Sequence, residues 1–217
     1  MKERPILFSA PMVRALLDGS KTQTRRIMKV QPDEHAAVTV ERYYPTVINR
    51  HGDDEPGHEI FGAWWADGEC GLACPYGQPG DRLWVKETHW RDDEDVAILY
   101  AADPNDFEIV QRNKIDTGSP RYNWKPSIHM PRVASRITLE IVSVRVERLQ
   151  DISEADAKAE GCDQTGVGTG RFDANGNEQE VGSYSASYYE LWQSINGPGS
   201  WSANPRVWVV EFKVVKP

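Results

Sequence analysis

An α+β fold around a small, curved or closed sheet is the architecture this sequence predicts. Three observations carry it. Short segments alternate apolar and polar residues at a period of two, the pattern of half-buried strands. The longest, Ile137 to Leu149, runs through Ile137, Leu139 and Ile141, slips one place and resumes at Val144 and Val146, as a bulged and bent strand does. Three other segments carry helix start and stop signals, and no internal repeat joins them.

The elements follow in order. Pro5 to Phe8 reads as a short strand, and Ser9-Ala10-Pro11 opens a helix that aligns Met12, Ala15 and Leu16 and stops at Gly19. Thr22 to Met28 reads as extended. Beyond it Gly, Pro, Asp and Glu accumulate, so about 31–78 is expected to be a largely irregular insertion with one strand near Ala37–Tyr43. Pro79-Gly80-Asp81 is a turn that launches the alternating strand Arg82 to Glu87, with Leu83, Val85 and Glu87 on one inward face. Val96–Tyr100 and Arg206–Val215 are further strands. Ser153-Glu154-Ala155-Asp156 is a capping-box signature for a short helix closed by Gly161. Residues 162–182, rich in Gly, Asp, Asn and Gln, read as a surface loop and a second insertion. Ser185 to Ile195 is an amphipathic helix with Tyr188, Leu191, Trp192 and Ile195 on one side. The whole chain, 1–217, reads as one domain.

Composition excludes several classes. At 39% hydrophobic and 27% charged residues the chain is neither disordered nor fibrous. No apolar run approaches the ~18 residues of a membrane helix, so no membrane partner is expected. Three cysteines are too few for a secreted disulfide scaffold and the N-terminus lacks a signal-like apolar segment, which predicts a cytoplasmic protein. The net charge of −8 argues against a grip on extended duplex DNA. Residues 1–30, however, hold seven basic and two acidic side chains, +5 in sum, which leaves −13 for the rest. A small basic site on an acidic body suits a nucleotide-sized anion or a short single strand.

That basic segment contains Gly19-Ser20-Lys21-Thr22-Gln23-Thr24-Arg25-Arg26. A glycine at a helix stop frees the backbone to turn, so that Lys21, Thr24 and Arg26 could project into one concavity. The segment lacks the spacer and leading glycine of a P-loop, which excludes an NTPase of that type. Taken with Gly80-Asp81-Arg82-Leu83-Trp84-Val85, it resembles the ASCH family, whose fold is a PUA-like β-barrel and whose hallmark is G-x-K-T-x-T-x-R followed by G-D-x-L-x-V. The resemblance covers about half the chain: 5–30, 79–101, 133–161 and the last strand. The segments Trp124 to Pro131 and Ser194 to Gly197 look like those of a longer, phage- or prophage-borne branch.

What the resemblance implies is specific. A small bacterial member of the family is an amidohydrolase that removes the acetyl group from N4-acetylcytidine, without a cofactor. Its catalytic lysine, threonine and glutamate carry over to Lys21, Thr24 and, in the helix after Ser153, Glu160. Amide hydrolysis needs an activated nucleophile, a proton shuttle and donors for the oxyanion. Two role assignments are open: Thr24 as nucleophile with Lys21 as base, or a cationic Lys21 polarising the acyl oxygen while Glu160 activates water. Glu160 has support of its own, since a carboxylate in the last helical turn opposes the helix dipole unless something compensates.

Arg26 and Thr22 are candidates for holding a phosphate or the base carbonyl. Glu87 is a reserve carboxylate, or else one half of a salt bridge with an arginine. Trp124, in an irregular Pro-rich segment beside His129, is the candidate for base stacking, whereas Trp84, Trp192 and Trp208 sit at core-like spacing. Cys70 and Cys74, with His51 or His58, would make half a zinc site; no second cysteine pair follows, and no metal is expected. The expected partner is a modified nucleoside or short RNA. A non-catalytic module binding RNA or single-stranded nucleic acid is the alternative, and a nuclease the third reading.

Overall fold

The computed structural model describes residues 1–65, 70–91, 97–119, 122–164, 171–172, 178–179 and 183–215. The chain opens with β1 (Glu3–Leu7), α1 (Ala10–Leu17) and β2 (Gln23–Ile27). Five short strands follow: β3 (Thr39–Tyr43), β4 (Thr46–Ile48), β5 (Asp54–Pro56), β6 (Ile60–Trp65) and β7 (Cys70–Ala73). Then come β8 (Arg82–Lys86), β9 (His89–Arg91), β10 (Ile98–Tyr100) and α2 (Pro104–Thr117). The C-terminal part holds β11 (Thr138–Arg148), α3 (Glu154–Ala159), β12 (Arg171–Phe172), β13 (Glu178–Gln179), α4 (Tyr184–Asn196) and β14 (Arg206–Val215). The fold is mixed α+β.

Its centre is a five-stranded sheet in the order β1-β8-β11-β14-β2, parallel between β1 and β8 and antiparallel elsewhere. The slip in β11 is a register shift between Ile141 and Ser143. One extra residue there keeps Leu139 and Ile141 before it, and Val144 and Val146 after it, against the same core. In β14 the run Val207-Trp208-Val209-Val210 is apolar on both faces because each face meets a different core. Val207 and Val209 pack with Leu149, Ala157, Tyr188 and Trp192 under α3 and α4, while Trp208, Val210 and Phe212 join Leu83, Val85 and Ile141. The two sheet edges approach one another, for the Arg26 guanidinium on β2 donates to the Leu7 carbonyl on β1 at 2.7 Å.

The turn before β8 is built on Asp81. Its carboxylate accepts from the Lys2 amide at 2.7 Å and from Arg4 Nη1 at 3.0 Å, tying β1 to β8. The 31–78 segment differs from expectation: it holds β3 to β7, and β3-β6-β7 form a three-stranded sheet whose Ala63, Trp65, Val40 and Leu72 pack on the main core. Apolar residues on its strands, not its Gly and Pro content, decide its structure. Helix α2 was not expected either; Val110 is its buried residue, so it carries little apolar periodicity. The expected strand from Val96 begins at Ile98, residue 96 lying outside the described residues. Most of 162–182 also lies outside them; within it β12 pairs with β13. No described helix is long and apolar enough to cross a membrane.

Candidate active site

Three local features bring residues from both halves of the chain together. Gly19, at φ +82°, ends α1 in the left-handed region, and the Lys21 amide turns back to the Ala15 carbonyl at 2.9 Å. At the other side α3 starts with the capping box that the sequence predicts, Ser153 and Asp156 bonding reciprocally, and ends at Glu160 and Gly161. The two ends are then stitched: Lys21 and Glu160 form an isolated antiparallel bridge, and the Thr22 amide donates to the Ala159 carbonyl at 2.8 Å. Gly161, also at φ +82°, is required by contact as well as conformation, since a Cβ there would lie 2.8 Å from Ala15 Cβ and 3.1 Å from Lys21 Cβ.

The Lys21 ammonium is 1% exposed as a side chain and forms an ion pair with Glu160, itself 4% exposed. It donates to Glu160 Oε2 at 2.9 Å and to the Glu160 carbonyl at 2.7 Å. An ammonium has three N–H bonds, so one remains for a ligand. Lys21 Nζ also sits 5.5 Å from the Phe8 ring centre. The carbonyl contact compensates the unfavourable dipole end of α3 that the carboxylate alone would aggravate. Behind the pair lies Arg25, whose side chain is 0% exposed. Its Nη1 stands 3.7 Å from Glu160 Oε1, and both atoms lack a hydrogen-bond partner among the described residues.

On β2, strand alternation separates the side chains. Thr24 and Arg26 share a face with their β14 partners Val210 and Trp208, whereas Arg25 shares the opposite face with Val209. Thr24 is buried to 3% exposure, and Arg26 covers Phe8 at 5.3 Å. Lys21, Thr24, Arg26 and Glu160 all line one cavity of about 590 Å³, together with Phe8, Tyr76, Tyr188 and Trp192. That volume falls in the range of small-molecule sites, roughly 300–1,000 Å³, and its aromatic walls stand beside several charged and hydroxyl side chains. Burial pushes the Tyr76 and Tyr188 phenols up, Tyr188 well above its ordinary value, so both stand as neutral walls at neutral pH.

Four of the residues singled out in the sequence lie elsewhere. Thr22 is exposed and serves through its backbone. Glu87 is 1% exposed on the inward face as expected, but it is held by Arg136 at 2.9 and 3.0 Å, and Arg136 binds Asp103 as well. Burial pushes the Glu87 carboxyl up while Arg136 pulls it down; this is the salt-bridge reading. Trp124 stacks on Phe107 of α2 at 5.9 Å, and His129 is exposed on a turn of which only Ser127 reaches the cavity wall. Trp84 lies on the outer face beneath Lys86 and Arg132, unlike the buried Trp192 and Trp208. Cys70 is exposed and Cys74 buried, and no cluster of three His, Cys, Asp or Glu fit to hold a metal occurs among the described residues.

Sequence reasoning missed Phe8, Tyr76, Ser127 and Arg25 as parts of this site. Phe8 follows the first strand without a break in pattern, and Tyr76 belongs to the segment read as irregular. Tyr188 and Trp192 were visible as an apolar helical stripe, but which wall they form depends on how α4 docks. No protein-family model, curated protein or solved structure matches the chain.

Proposed function

We propose that this protein is an amidohydrolase that removes an acyl group, acetyl in the simplest case, from N4-acetylcytidine or a related modified cytosine nucleoside. The observation that carries the reading is the buried Lys21–Glu160 ion pair, with Lys21 Nζ 2.9 Å from Glu160 Oε2, opening with Thr24 onto a cavity of nucleoside size. The finer fold expectation, a small PUA-like barrel of the ASCH type, belongs to the same proposal. The edge-to-edge contact of Arg26 with Leu7 supports it.

Of the two role assignments, the ion pair favours a cationic Lys21. Its remaining N–H donates to the acyl oxygen and stabilises the charge that develops there. Glu160 Oε1, free of hydrogen bonds, accepts a proton from the attacking water. The water oxygen bonds to the acyl carbon, the C–N bond breaks, and the proton passes to the departing exocyclic nitrogen, leaving acetate and cytidine. The Thr24 hydroxyl, on the same wall, donates to the tetrahedral oxygen. Phe8, Tyr76, Tyr188 and Trp192 exclude water and face the base.

The test is release of acetate from N4-acetylcytidine by the wild type, Glu160→Gln and Thr24→Val. Glu160→Gln is expected to lose about 10²–10⁴ in kcat, and Thr24→Val about 10²–10³, both remaining folded. Binding of the nucleoside without turnover by a folded wild-type protein would overturn the hydrolase and favour a reader of modified nucleosides or short RNA.

A further inference from the structure

We infer that Arg25 is a positioning residue, which fixes Glu160 from behind and thereby holds the Lys21 ammonium in its bonded geometry; the inference rests on the site reading above. Arg25 stands on the opposite face of β2 from Thr24 and Arg26, at the wall of the same cavity, and its guanidinium is fully enclosed. A buried guanidinium requires partners, and these identify its task. Nη2 donates to Glu147 Oε2 on β11 at 2.8 Å and lies 3.3 Å from Asp156 Oδ2 on α3. Nη1 remains for Glu160, 3.7 Å away at the C-terminal cap of that helix.

Asp156 makes the arrangement a coupling. Its carboxylate is the N3 member of the capping box, bonded to Ser153, and it also receives Arg145 Nη2 at 3.0 Å. Arg145 in turn binds Glu147, Glu211 and Gln23. Arg25 therefore touches α3 near both ends, at Asp156 and at Glu160, and ties it to β11. The short helix contributes little rigidity of its own. Its register against β2 decides whether Glu160 reaches Lys21, and a displacement of about 1 Å at such a pair costs about 100-fold in rate. A guanidinium suits this place because its planar fork presents both terminal nitrogens in fixed directions to the three carboxylates, which an ammonium does not.

The experiment has two readouts on Arg25→Met. The first is solvent exchange of the Lys21 ammonium protons, followed by ¹⁵N NMR, which needs no substrate. The second is kcat against KM with N4-acetylcytidine. Loss of the fixed Glu160 is expected to speed exchange at least about tenfold and to lower kcat about 100-fold with KM changed little. Unchanged exchange in the folded variant overturns the inference whatever the turnover. A wild-type protein that shows no turnover overturns the hydrolase reading alone, and the exchange result still decides the role of Arg25. Should Arg25→Met fail to fold, Glu147→Gln, at a partner 26% exposed, releases Nη2 and is judged by the same exchange criterion.

Discussion

Replacing Gly161 by alanine tests the packing that joins the two halves of the site, and Gly19 supplies an internal control. Both glycines stand at φ +82°. An added Cβ at Gly19 meets nothing within 4 Å, whereas at Gly161 it would lie 2.8 Å from Ala15 Cβ and 3.1 Å from Lys21 Cβ. The conformational cost is therefore shared, about 1–2 kcal/mol for an L-residue in the left-handed region. Only Gly161→Ala adds overpacking, typically about 1–3 kcal/mol where the neighbours are not flexible side-chain ends. Gly19→Ala should thus destabilise by about 1–2 kcal/mol and Gly161→Ala by about 2–5 kcal/mol. Urea unfolding at constant m-value reads the difference directly. A gap of about 1–3 kcal/mol between the two variants is expected; equal midpoints would refute the close approach of α1 to the end of α3, and with it the geometry of Lys21.

Two other measurements follow from the same structure. Burial raises the Asp156 carboxyl, but the Ser153 hydrogen bond and the Arg25 charge outweigh it and hold the group below its ordinary value of 3.8. A depressed acid contributes stability above its unfolded value and loses it as pH falls through the lowered one, so Asp156→Asn should weaken the fold near neutrality and flatten its loss as pH falls below the ordinary carboxyl range; parallel pH profiles would contradict this. Burial, with the nearby Glu160 charge, pushes the Cys162 thiol up to about 11, and burial raises Cys74 too, while Cys70 is exposed. One fast thiol is expected near pH 8 with a disulfide-exchange reagent, removed by Cys70→Ser; persistence of the fast phase would show that Cys162 or Cys74 is not held in its raised, protonated state.

Local signals proved legible and distant ones did not. The capping box at Ser153, the stops at Gly19 and Gly161 and the slip between Ile141 and Val144 each depend on residues within one turn or one bulge, and each stands in the structure. Helix α2 had Pro104 at its start and Gly118 in the left-handed region at its end, but with Val110 as its buried residue no stripe announced it. Of the strands in 31–78, the one expected near Ala37–Tyr43 stands as β3, and β4 to β7 are obscured in sequence by their turns. Lys21, Thr24, Arg26 and Glu160 were all named from sequence and all line the cavity, though 139 positions separate Lys21 from Glu160. Glu160 is reached through the family resemblance, with its unfavourable place in the last turn of a short helix as the one local sign. In sequence Arg25 is one more basic residue of the segment Gly19 to Arg26, because its partner Glu147 is 122 positions away and nothing in the local pattern marks it as buried. Trp124 and His129 show the converse: chemistry-bearing residue types side by side in sequence, carried by the fold to Phe107 and to the surface.

Cytidine release from N4-acetylcytidine, followed by chromatography for the wild type and Lys21→Ala side by side, tests the central claim most directly. The account predicts cytidine from the wild type and a rate at least about 10² lower from the folded variant, whose oxyanion donor is gone. Equal release from both, or none from a folded wild-type protein, would contradict it.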